Sequence, residues 1–423
     1  MNRRHKVIQS GLALAITMGI GFPVVANAAP KNSAASAPVT LSTTSPTTPA
    51  YWPTVLSEKK SPIETITSGV THYSESFQTV NGPIQTNVTE VDLTNPNVRL
   101  GVTLANNKLY SPDETVSSMA NRTGAVAGIN GDFFDINATG APLDLTVVNG
   151  RIVESQYSNE SGILGVTKNG RISIAPEVFT ASVTSSSGSS YSIESLNRPG
   201  TEANGNLTLI TSDLGASFPV SNATVAYLKP DSQNSSTKFT VEEVDTNVSQ
   251  VPQLHPGEEA LVAGGGNAAS WVTSHLKTGS KVHLHEKVSP NHDLEQALGT
   301  GYILLENGQW YNDPNGHGTK YAISNALEPL TAVGVSRDGR HMYMVVVDGR
   351  QPNLSIGLSY KQMASYLQSL GAYKAVMLDG GGSSEMVVRH HGDSTVSVVN
   401  SPSDGHERPV ADGLFVYSTK SGK

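Results

Sequence analysis

The segment Asp379-Gly380-Gly381-Gly382-Ser383-Ser384-Glu385 follows directly on an apolar run, Lys374-Ala-Val-Met-Leu378. A carboxylate at a strand end, then three glycines and two hydroxyls, lets backbone N–H groups converge on an anion without side-chain obstruction. A second cluster, Asn400-Ser-Pro-Ser-Asp404-Gly-His-Glu407-Arg408-Pro409, adds an amide, two acids and a guanidinium. Upstream, Asp348-Gly349-Arg350 closes the apolar run Met342–Val347, and Asn130-Gly131-Asp132-Phe133-Phe134-Asp135 follows the apolar run Ala125–Ile129. Acids suit proton transfer and arginine forks suit bidentate neutralisation of an oxyanion, so these clusters point to chemistry on an anionic, polar ligand.

The elements that must hold these groups read mainly as strands. Short alternating segments bounded by Asn-Gly, Asp-Gly and Asn-Pro turns cover Val88–Leu93, Val98–Leu104, Leu145–Val148 and Arg171–Ile174. Two helices are expected, at Ser111–Ala120 and at Ser359–Leu370. The second has a Ser359-x-x-Gln362 capping box, apolar residues at helical spacing and Gly371 as a stop. Because it lies between the runs ending at Asp348 and Asp379, it suggests a parallel strand pair with a right-handed crossover and both acids on one sheet edge. If the two strands were direct neighbours, the acids would start from backbones ~5 Å apart. The expected fold class is α+β: a mixed, strand-rich single catalytic domain with a few helices packed on the sheet.

The chain has 423 residues, a net charge of -8 and no cysteine. No general basic field exists to hold nucleic acid, and neither disulfides nor thiol catalysis can occur. Met1–Lys6 is basic, Val7–Val25 largely apolar and Ala26-Asn27-Ala28 fits a small-x-small cleavage site, so residues 1–28 read as a secretory signal peptide. Residues 29–61, rich in Ala, Ser, Thr and Pro, read as a disordered linker, and 62–423 as the catalytic domain. The expected location is secreted or cell-envelope and bacterial, with no membrane contact beyond the signal segment.

Taken in order, Gly128–Phe134, Thr331-Ala-Val-Gly-Val335, Val347–Arg350, Met377–Ser384 and Asn400–Pro409 resemble the motifs of the phosphodiester glycosidase family. This is the family of the lysosomal uncovering enzyme, and the resemblance extends over about Val88–Tyr417. It implies cleavage of a sugar's anomeric bond to phosphate, with a phosphorylated carbohydrate or cell-wall glycopolymer as partner. The chemistry suits the residues independently. A phosphate monoester, with a second pKa of about 6, leaves more readily than an alkoxide, so charge neutralisation can replace much of the proton transfer. Arg350, Arg408 and the amides of Gly380, Gly381, Gly382, Ser383 and Ser384 would neutralise it. One of Asp348, Asp379 or Glu407 would assist water, and Asn130 and Asp132 would orient sugar hydroxyls. Asn400 and Asp404 complete the expected substrate contacts.

Two departures from the family pattern stand out. Leu330 occupies the place where the family usually carries Arg, and Gly299-Thr300-Gly301-Tyr302 stands where three glycines and a proline are usual. The loss of a guanidinium keeps two further functions in view, a non-catalytic carbohydrate binder and a sugar-phosphate transferase. No cofactor and no metal site is expected, although Asp132 with Asp135, and the run Asp313–Gly318, carry oxygen ligands of the kind calcium takes. His283, His285 and His292 form at most a loose group, and Ala263–Asn267 lacks the P-loop lysine.

Overall fold

The computed structural model describes residues 51–157, 162–198, 200–232, 236–311 and 325–419. The signal-peptide reading, most of the linker and the Asp313–Gly318 run lie outside these residues. The last part of the expected linker does not: Val55–Lys60 forms a strand paired with Val70–Thr79, so the sheet takes in part of that stretch.

Half of the structure is strand and 11% helix, arranged in several antiparallel sheets, so the protein is mostly β and not α+β. Only three α-helices are described, Val116–Thr123 (α1), Gly266–His275 (α2) and Tyr360–Ser369 (α3). Met342–Val347 is a continuous apolar run, of the kind that usually marks a strand buried on both faces of a parallel sheet. His341–Val347 is indeed buried on both faces, but within an antiparallel sheet. Met342, Met344 and Val346 enter one core, while Tyr343, Val345 and Val347 enter another beneath α3.

A nine-stranded sheet carries Gly82–Asp92, His341–Val347, Leu330–Ser336, Ala372–Met377 and Tyr302–Glu306 as consecutive neighbours. The strands leading to Asp348 and Asp379 therefore run parallel with Leu330–Ser336 between them, antiparallel to both. Their ends share an edge as expected, but at two strand spacings, roughly 10 Å, rather than one. A five-stranded sheet, ordered Ser397–Val398, Met386–Val388, Ala127–Asn130, Asp412–Ser418 and Val98–Leu104, packs against it. Val333, Met344, Val376 and Leu378 of the first meet Ile129, Met386, Leu414 and Val416 of the second in one apolar core. The remaining strands form another five-stranded sheet and a curled eight-stranded sheet closed by α2, whose Ala268, Trp271 and Val272 fill its core.

α3 has the predicted capping box, with Ser359 accepting from Gln362 N–H and Gln362 Oε1 accepting from Ser359 N–H at 2.8 Å. α1 begins later than expected, capped by Thr115, and packs Val116, Met119 and Ala120 on Phe415 and Val387. α2 was not anticipated, because its glycine-rich entry reads as a turn. Gly265, at φ +119°, is its N-cap.

Candidate functional site

Asp379 ends its strand beside a tight turn, Gly381–Ser383. Gly381 needs its glycine, since its φ is +62° and a Cβ there would lie 3.1 Å from Arg350 Nη2. Gly382 is more restricted still: a Cβ would lie 2.0 Å from Arg408 Nη2. Both guanidinium groups therefore rest on this turn. Arg408 Nη1 donates to Ser383 Oγ at 3.4 Å, and Ser383 bonds in turn to the Asp379 carboxylate. Arg408 is held by Asp404 Oδ2, at 2.9 Å from Nε and 2.6 Å from Nη2, and Arg350 Nε donates to Glu328 Oε2 at 2.6 Å. Each arginine is thus positioned by its own carboxylate. The Nη groups of Arg350 stay over the turn.

Asp348 joins the same site through the 400s loop. Its Oδ1 accepts from Asn400 Nδ2 at 3.1 Å and from Ser401 N–H at 2.8 Å, while Asn400 Nδ2 also reaches the Ser384 carbonyl at 3.0 Å. With Asp348 only 2% exposed, this carboxylate fastens the loop to the strand end. Asp379 is half-buried, with Oδ1 accepting from Gly380 N–H at 2.8 Å. Burial pushes Asp348 and Asp379 up to about 6, against the opposing pull of their hydrogen bonds and, for Asp379, of Arg408.

Three expectations are corrected by this geometry. The turn does not offer a nest of amides. Gly380 N–H goes to Asp379, Gly381 N–H to the Pro329 carbonyl, Ser383 N–H to that of Gly380 and Ser384 N–H to that of Gly381, leaving at most Gly382 to face an anion. Asn130 does not face a ligand either. It is fully buried, its Nδ2 donating to the Asp379 carbonyl at 2.8 Å and its Oδ1 accepting from Thr331 Oγ1 at 2.7 Å and Glu385 N–H at 3.1 Å. It ties the two sheets together behind Asp379. Asp132, 2% exposed, accepts from Phe133 N–H at 2.7 Å and Asp144 N–H at 2.9 Å, so it orders its loop. Asp135 similarly caps Thr139, at 3.2 Å from its N–H. These satisfied turn acids explain why the pair has the look of a calcium motif. Gly299 and Gly301 make room for the same loop, since Cβ atoms would lie 2.4 Å from Asp132 Oδ2 and 2.5 Å from the Phe133 ring.

Two acids were missed. Asp412, outside all the expected site clusters, is the first residue of the Asp412–Ser418 strand and fully buried. Its Oδ1 accepts from Asp132 N–H at 2.8 Å and its Oδ2 has no partner. Burial, reinforced by the Asp379 charge, drives its carboxyl well above the usual range despite that bond. Asp379 and Asp412 thus form an interacting acid pair. Glu385, inside the quoted motif yet unassigned, is pushed to about 9 by burial and then by Glu407, which faces it, while Ser117 N–H at the start of α1 pulls the other way. The signal for Asp412 was present: like Asp348 and Asp379 it is an acid followed by glycine, although it opens its apolar strand where they close theirs. Leu330, at the family's Arg position, is 2% exposed and packed in the core beneath α3. His283 and His285 stand exposed on one strand face, ring centroids 6.3 Å apart.

Residues 233–417 match the profile of the family described as phosphodiester glycosidase. The family resemblance read from the motifs therefore holds, and the chain carries a glycosidase-type domain over that span; the Gly128–Phe134 motif lies outside it. The SPbeta prophage-derived uncharacterized protein YomE of Bacillus subtilis (strain 168) is 37% identical over 98 residues, 23% of this chain and 14% of that protein. The chain thus spans about one seventh of this curated relative. A solved putative exported protein from Burkholderia pseudomallei K96243 superposes with a TM-score of 0.69 at 22% identity, covering 88% of this chain and 99% of that one. A hypothetical protein from Synechocystis also gives 0.69, at 19% identity, covering 85% of this chain and 64% of that one. At such identities the likeness concerns the fold.

Proposed function

We propose that the chain is an exported hydrolase that cleaves the anomeric sugar–phosphate bond of a sugar 1-phosphodiester in a cell-wall polymer or exopolysaccharide. The observation that carries this reading is the linkage from Arg408 through Ser383 to Asp379, with Arg350 over the same turn. It sets oxyanion donors beside a half-buried carboxylate at a strand end.

In this reading Asp379 is the base. Asp348 is committed to Asn400 and Ser401, and Glu407 faces Glu385, so both hold the site together. Water attacks the anomeric carbon, its proton passes to Asp379, and the bond from that carbon to the phosphate oxygen breaks. The phosphate monoester leaves against Arg350 and Arg408, and the sugar keeps the new hydroxyl. Asp412, sharing the proton equilibrium with Asp379, tunes that base. Residues 1–28 as export signal, a linker from residue 29 that ends before Tyr51, and the remainder as catalytic domain fit this role, Trp52 already being stacked on Tyr366. Among the described residues no helix is long and apolar enough to cross a membrane.

The test is incubation of the mature protein with synthetic sugar 1-phosphodiesters and with wall polymer, reading free sugar and phosphate monoester separately, with an added polyol in a parallel reaction. Release of both products supports the hydrolase. Sugar–polyol adducts would instead make it a transferase, and tight polymer binding without turnover would make it a binder. The binder reading draws on the apolar Leu330 in place of a guanidinium.

A further inference from the structure

A second group of acids lies in the curled eight-stranded sheet, on strands Glu259–Ala263 and Lys281–Ser289. Two strands separate these in the sheet order, yet Glu259 and Glu286 are close enough to repel each other, so the curl brings them together. Both line a cavity of about 390 Å³ together with Asn149, Arg151 and Thr211. A cavity of that size accommodates a small ligand.

Its charges are out of balance. Asp213, Glu259 and Glu286 surround one guanidinium, and Arg151 is committed to Asp213 at 2.8 Å. Glu259 is 8% exposed and its Oε2 is buried with no hydrogen-bond partner. A buried carboxylate on a cavity wall that no donor reaches is costly unless it takes up a proton or a ligand donates to it. Among the described residues no three acidic or imidazole groups are placed to hold one metal ion. An ammonium, whose N–H donors reach acceptors spread around it, suits this spacing better than a bare ion does.

We propose that this cavity binds the ammonium group of a small organic cation, with Glu259 and Glu286 as acceptors and Arg151 kept aside by Asp213. Burial lifts Glu259 to about 9, with Glu286 adding to it, and lifts Glu286 to about 7, with Asp213 adding to it; Arg151 opposes both. The empty cavity therefore holds protons near neutral pH, and an arriving cation displaces them. Binding tightens as pH rises from 6 to 8 and releases protons. None of these residues belongs to the proposed hydrolytic site, so failure of either proposal leaves the other intact.

Calorimetric titration of the full chain with 5-amino-1-pentanol, 1,5-pentanediol and calcium chloride tests it. The amine should bind at least tenfold more tightly than the diol, with proton release seen as a dependence of heat on buffer ionisation enthalpy. Glu259→Gln should weaken the amine at least tenfold while leaving phosphodiester turnover unchanged. Glu286→Gln is read in the same way if Glu259→Gln does not fold. Equal or undetectable binding of amine and diol, unchanged affinity in the folded variant, or binding of calcium that the variant abolishes would each overturn the proposal.

Discussion

Asp379 is the residue on which the proposed chemistry converges, and its surroundings make its role separable from that of its neighbours. Asp379→Asn keeps the shape and removes the base, so kcat should fall by a factor of about 100 or more with KM little changed. Arg408→Ala should instead raise KM and lower kcat together, since one charge-assisted donor to the leaving phosphate is lost and Asp404 is left unpaired. With the Asp379 carboxyl at about 6, kcat/KM should climb with pH through that value and level off above it. A profile flat from pH 5 to 8 would remove Asp379 from the role. At this scale the sequence was informative about which residues gather and less so about what each does. Acid-glycine pairs at strand ends could be read directly. The inward commitment of Asn130 and Asp132 could not, because it depends on carbonyls and amides contributed by Asp379, Glu385 and Asp144, distant along the chain.

The glycine turn shows how an element sets the limits of the site. Gly382→Ala pushes against the tips of Arg408 and Asp404, which are partly exposed side chains able to swing away. Turnover should drop at least tenfold while the melting temperature barely moves. Gly381→Ala meets a different obstacle, a left-handed backbone, and should cost about 1–2 kcal/mol of stability in denaturant titration. The contrast between the two alanines separates steric from conformational demand within one turn. α3 was legible to the residue because its cap is a local hydrogen-bond pattern. The strand inserted into the parallel pair was not foreseen for the opposite reason: Leu330–Ser336 bonds to Ala372–Met377, whose paired residues lie 36 or more positions away.

For the whole molecule, buried acids dominate the pH response. Glu385 and Glu259 at about 9 and Glu286 at about 7 all exceed their unfolded values near 4.3, so the folded state binds more protons and its stability declines as pH rises through those values. His72, lowered to about 4 by burial, acts in the other direction, but only between about 4 and 6.5. From pH 6.5 to 9 nothing among these groups opposes the acids, and the melting temperature should fall steadily. Glu385→Gln should flatten that slope; an unchanged slope in this variant would mean that Glu385 is not protonated in the folded protein.

The strand that starts at Asp412 lies inside its sheet, between Val98–Leu104 and Ala127–Asn130, although it is the last of the described strands in chain order. Until it arrives, those two earlier strands have no common partner, Gly131 and Asp132 lack the Asp412 atoms that fix them, and the acid pair has only one member. A chain cut anywhere before Asp412 therefore cannot assemble the centre, a dependence that arises from strand order alone.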